Sequence, residues 1–218
     1  MADATVRVGP LLGLPALLRD LGCDPEEIFA RVGLTIAGFK DADHRISFVD
    51  GSNLLARCVD ATGSAPIGLM LGERVDPSSL GVAGFMLKSA PDVGSALRDL
   101  VRHLDLHDQG GALSLATVNR MAFLGYSILI DEVEAAGEIH DLSMAVACRI
   151  MRGFCGEAWN PAEAVLSRRQ PKDTSPYRRF FRAHVQFDAG RSALVFLKHW
   201  LKHPIACLLY TSDAADDN

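Results

Sequence analysis

Two histidine pairs are the first residues whose spacing could do chemistry. His103 and His107 stand four apart, and so do His199 and His203. On a helix this spacing puts both imidazoles on one face, where two ring nitrogens can share a transition metal. A site needs a third or fourth ligand as well. Asp41, Asp43 and Cys155 are the candidates to supply one in space, and nothing in the sequence brings them there. The expectation is solvated or interface histidines, with no metal and no cofactor.

A second constellation is basic. Arg168, Arg169, Lys172, Arg178, Arg179 and Arg182 are interleaved with Tyr177, Phe180 and Phe181. Arginines on phosphates and rings stacked on bases would make a nucleic-acid surface. Rings in the core with arginines on its rim is the plainer arrangement. An acidic ligand or an acidic partner surface is a third use. Catalytic motifs are absent: there is no G-x-S-x-G elbow, phosphate loop, dinucleotide fingerprint, H-E-x-x-H or C-x-x-C. Gly110-Gly111 lacks the downstream lysine of a phosphate cradle, and Gly81 to Gly84 suggests close backbone packing. No enzyme activity is expected.

The elements that must position these residues begin as short helices. Leu14, Leu17, Leu18 and Leu21 set a helical rhythm, and Asp24-Pro25 with Glu27 reads as a capping box. A loop from Gly33 to Ile46 follows. Ser47 with Asp50 reads as the next cap, for a helix ending at Gly63. Further helices are predicted from Asp76 through Lys88 and from Val93 to about His107. Ala112 to Val118 and Phe123 to Ile130 then read as a hairpin. Glu138 to about Glu157 is a long helix with Leu142, Val146, Ile150 and Phe154 four apart. A strand at Ala164 to Ser167, a short helix from Ser175 and strands at Val185 to Phe187 and Ala193 to Phe196 complete the order.

This order predicts an α+β fold: a helical N-terminal half, then a small antiparallel or mixed sheet with packed helices. Residues 1–9 are expected to be a flexible start. Residues 10–204 form the domain, mainly helical over 10–108 and β-β-α-β-α-β-β over 109–204. Residues 205–218 are expected to be a disordered or artefactual tail.

Composition sets the bounds. The 218 residues are 49% hydrophobic and 22% charged, which excludes wholesale disorder and a coiled-coil rod. A formal charge of -5 disfavours nucleic acid overall, though a local basic patch can still bind it. No apolar run approaches a membrane span, and the polar start lacks a signal peptide. A cytoplasmic location is expected. Five cysteines without metal-site rhythm read mostly as buried small hydrophobes.

Several segments, taken in order, carry a family resemblance. They are Leu18 to Pro25, Val32-Gly33-Leu34, Arg45-Ile46-Ser47, Ile67-Gly68-Leu69 with Leu71-Gly72-Glu73, and Leu80 to Gly84. Later come Pro176-Tyr177-Arg178-Arg179-Phe180-Phe181, Val185-Gln186-Phe187 and Ala193 to Phe196. Over roughly residues 10 to 204 the chain resembles the N-terminal, arabinose-binding-type sensing and dimerisation domain of AraC-type transcriptional regulators. The resemblance implies a two-part switch. This domain would sense a small molecule or form a homodimer, and a C-terminal domain with two helix-turn-helix units would bind promoter DNA.

After Pro204 only residues 205–218 remain, too few for a helix-turn-helix, and they resemble the adapter-like ends of truncated gene models. A fragment of a longer regulator is therefore expected, with no membrane partner. The alternative function is a protein–protein interaction module without an effector. Candidate effector contacts are Met86, His103, Tyr126, Arg178 and Arg179, each of which equally suits a core or a surface position. A pocket between the helical half and the sheet would support sensing; a solid core would not.

Overall fold

The computed structural model describes residues 4–76, 89–131 and 133–205. The helix expected from Asp76 to Lys88, the glycines Gly81 to Gly84 and the tail after 205 lie largely or wholly outside the described residues. The chain folds as α+β, with helices first and a mixed sheet interleaved with helices after them.

The N-terminal part holds α1 (Leu14–Asp20), α2 (Pro25–Ala30), α3 (Phe48–Ala61), α4 (Ile67–Arg74) and α5 (Val93–His103). Asp24 caps α2 by accepting from Glu26 N at 2.9 Å, as its position ahead of Pro25 predicts. Glu27 does not close a capping box; it pairs with Arg31 one turn on. Ser47 precedes α3 without a side-chain cap, because it is the last residue of a strand. Asp92 caps α5 through Ser95 N at 2.7 Å. That helix stops at His103, and a 3-10 turn over Leu104–Leu106 carries the chain on.

Two strands stand inside this helical part. β1 (Thr5–Arg7) pairs antiparallel with β2 (Arg45–Ser47), so residues 5–7, within the start expected to be flexible, are tied into a small sheet. Their signal is three residues long, too short for alternation to register.

The second half follows the expected order. β3 (Gly111–Val118) and β4 (Met121–Ile128) make the hairpin, turning through Asn119 at φ 54°. Helix α6 (Ala136–Cys155), β5 (Glu163–Val165), α7 (Ser175–Phe181), β6 (His184–Gln186) and β7 (Ser192–Leu197) come next. The five-stranded sheet runs β3-β4-β7-β5-β6, with β5 parallel to β6 and the other pairs antiparallel. β6 and β7 are consecutive but not neighbours, because β5 lies between them.

The central element is α6. It packs on β4 and β7 and lies backbone to backbone against α4. A Cβ on Gly68 would fall 2.0 Å from the Glu138 carbonyl oxygen. The Glu138 carboxylate in turn accepts from Gly68 N at 2.7 Å, which satisfies a donor in the first turn of α4. On its other flank, Asp141 takes the phenol of Tyr177 at 2.6 Å and an ion pair from Arg168. The helix thereby joins the N-terminal helices to the sheet half.

Candidate functional site: a cavity between the helices and the sheet

A cavity of about 110 Å³ lies between the two halves. Leu55 of α3 and Leu97 and Leu100 of α5 form its helical wall, with Val6, Pro10 and Leu11 beside them. Leu113 of β3 and Leu124 and Tyr126 of β4 form the sheet wall. Leu142, Val146 and Ile150, the predicted core stripe of α6, close the third side. The four-residue rhythm of α6 thus serves two surfaces, packed core and cavity wall.

The polar groups gather at the end where β1 meets the 3-10 turn. Arg7 N donates to the His107 carbonyl at 2.9 Å, and Val6 bridges to Asp108. Asp108 is buried. Its Oδ2 accepts from the Tyr126 hydroxyl at 2.7 Å and its Oδ1 accepts from Gly110 N at 2.8 Å. Burial pushes the Asp108 carboxyl up, and the bonds from Tyr126 and Gly110 pull it back. Ser143 of α6 lines the cavity as well. Gly110 and Gly111 are packing glycines: a Cβ on Gly111 would lie 2.2 Å from the Tyr126 hydroxyl.

Two buried groups at this end are incompletely bonded. Arg7 is 8% exposed and His107 is 6% exposed. Arg7 pairs with Asp43 through one terminal nitrogen, but its Nε has no partner among the described residues, nor has His107 Nδ1. Burial, reinforced by Arg7 and Arg45, pushes the His107 imidazole down to about 4, so it is neutral near pH 7.

The five candidate effector contacts divide. Tyr126 lines the cavity. His103 is the half-buried last residue of α5 and does not line it. Arg178 and Arg179 are exposed on α7, away from it. Met86 lies outside the described residues. Arg7, Asp108 and Ser143 carry no site signal in the sequence. Arg7 falls in a segment expected to be loose, and Asp108 in a loop.

The other constellations resolve into structure. Because α5 ends at His103, His107 is not on the same helix face. His199 and His203 flank Trp200 at a 3-10 turn, where positions four apart do not align. Among the described residues no group of three or more His, Cys, Asp or Glu could hold a metal ion. In the basic cluster Tyr177, Phe180 and Phe181 are buried, so their faces cannot stack on bases. Arg168 is held inside by Asp141, Glu138 and Tyr177. Cys58 and Cys148 are buried free thiols, raised by burial to about 12 and about 11.

The family model for the N-terminal arabinose-binding domain of AraC transcription regulators matches residues 22–205. The chain belongs to this family. The family is one of regulatory domains, so the chain is a regulatory module rather than an enzyme. Comparison with curated proteins gives no match. Among solved structures, the transcriptional regulator CdpR from Pseudomonas aeruginosa is similar in fold, with a TM-score of 0.59 and 21% sequence identity. The match covers 72% of this chain and 51% of that one, so the AraC-type domain spans about half the length of that regulator. Among the described residues, no helix of the domain is long and apolar enough to cross a membrane.

Proposed function

We propose that this AraC-type domain is the effector-sensing and dimerisation module of a transcriptional regulator, and that the cavity is its effector site. Promoter DNA is then contacted by a helix-turn-helix part of the regulator, and a small molecule in this domain sets its state.

The cavity carries the reading. Protein interiors are packed to crystal density and tolerate few voids larger than water. The apolar side chains around a space of about 110 Å³ lack packing partners on that side. A regulatory domain that keeps such a space between two halves can gain those contacts from a ligand. The walls come from both halves, so a ligand that prefers one arrangement of them shifts the population toward it.

The test is a thermal-shift screen of small molecules on this chain and on Ala147→Leu, which narrows the cavity from α6. A ligand at 100 times its Kd stabilises the native state by about 2.7 kcal/mol. Sensing predicts a hit that the variant loses. Hits that ignore Ala147→Leu would refute the assignment of the cavity. Sedimentation at rising protein concentration tests the homodimer, and a monomer throughout would refute that part.

A further inference from the structure

This inference rests on the cavity being the effector site. We propose that the cavity takes a small monocarboxylate, with its apolar body between the leucines and its carboxylate at the Arg7–His107 end. The family's name points to a sugar. The polar groups of this cavity point elsewhere.

The side chains of Asp108, Tyr126 and Ser52 in the wall are already engaged inside the protein. Both Asp108 oxygens accept, one from Tyr126 and one from Gly110. Ser52 Oγ accepts from Ala135 N at 3.2 Å. A pentose would bring several hydroxyls into a chamber walled by Leu55, Leu97, Leu100, Leu113, Leu124 and Leu142. Each hydroxyl left without a partner there opposes binding.

Among the described residues, Arg7 Nε and His107 Nδ1 are the buried polar atoms of the wall that have no partner. The Arg7 guanidinium is always charged and is a donor only. Its one acidic partner, Asp43, has a side chain 75% exposed, so the ion pair is screened on its outer side. A buried cation with a free N–H beside an apolar chamber suits a single anionic head, and a charge-assisted bond is the strongest it can make. His107 adds a second N–H when its proton sits on Nδ1. Size limits the rest: a cavity of about 150 Å³ binds benzene, so this smaller one of about 110 Å³ suits an apolar body of no more than about six heavy atoms.

The experiment is calorimetric titration of the full 218-residue chain. The probes are benzoate, phenylacetate and hexanoate, their neutral amides, and L-arabinose. The expected result is that a carboxylate binds at least tenfold tighter than its own amide. Arg7→Met should remove that margin while leaving the amide's weak affinity in place. His107→Phe keeps a ring in the wall and should narrow the margin too, which covers the case in which Arg7→Met does not fold. Ala147→Leu should abolish binding of both forms.

Amides that bind as well as their acids and are lost in Ala147→Leu would overturn the carboxylate while leaving the cavity as a sensing site. Arabinose binding lost in the same variant would do likewise. Carboxylate binding that survives Ala147→Leu would place the acid elsewhere and overturn the proposal. Failure of every acid to bind more tightly than about 10 mM would overturn the ligand class, while the thermal-shift screen decides the cavity's sensing role separately.

Discussion

The Tyr126 hydroxyl donates to Asp108 Oδ2 at 2.7 Å and so ties the second strand of the hairpin to the loop that follows α5. Both groups are buried, and both face the cavity. This bond holds the polar end of the chamber against its sheet wall.

Tyr126→Phe should therefore leave Asp108 Oδ2 buried without a donor. Hydrogen bonds to charged groups contribute about 1.5–3 kcal/mol, and a destabilisation of that size is expected in urea unfolding. In the Asp108→Asn background, adding Tyr126→Phe should cost less than it does alone. Equal costs in the two backgrounds would show that the two side chains act independently.

The His107 imidazole gives a pH signature. Its folded value, about 4, lies below the ordinary 6.5 because burial opposes the charged form. The unfolded chain therefore takes up a proton first as the pH falls. Stability from this group is present above about 6.5 and is lost as the pH drops toward 4, by on the order of 3 kcal/mol in all. Asp141 acts the other way, since burial pushes its carboxyl up to about 7 and its contribution is lost as the pH rises. The measurement is therefore a difference. Wild type minus His107→Gln, followed from pH 7 to 4, should decline steadily, and a flat difference would contradict the neutral buried ring.

Helix α6 offers a matched pair of substitutions. Glycine to alanine ordinarily stabilises a helix by about 0.5–1 kcal/mol. Gly153→Ala meets nothing within 4 Å and should show that gain. Gly68→Ala on α4 should instead destabilise by about 3 kcal/mol, because its Cβ would drive α4 off the Glu138 carbonyl. Melting curves of the two variants should move in opposite directions.

Arg152 closes the far end of α6. Its guanidinium donates to the Trp159 and Phe180 carbonyls at 3.2 and 2.6 Å and to Asn160 Oδ1 at 3.2 Å, over the Phe180 ring. A lysine keeps the charge and loses the planar fork. Arg152→Lys should cost about 2 kcal/mol, with unfolding by denaturant as the readout. A neutral result would mean that the charge alone suffices.

Much of the architecture is legible in the residues. The hairpin, the long helix with Leu142, Val146 and Ile150, and the order of later strands follow from local period and turn chemistry. Asp24 is readable as a cap because capping is local. Ser47 is not, because the chain before it is a strand paired with residues some 40 positions away. Of the site, Tyr126 is readable as a candidate, while Arg7 reads as part of a loose end. Its burial depends on β1 docking beside His107, a contact between residues 100 positions apart.

The sequence by itself determined the α+β class, the element order and the AraC-type family, since periodicity, caps and ordered motifs are properties of neighbouring residues. Tertiary structure decided that the leucines of α3 and α5 stand off from the sheet and leave a cavity. It also decided that Arg7 and His107 share its polar end, and that Tyr177, Phe180 and Phe181 are core rather than a stacking surface. Those outcomes depend on which distant surfaces meet and on which polar groups are already bonded when they do. No local pattern records either.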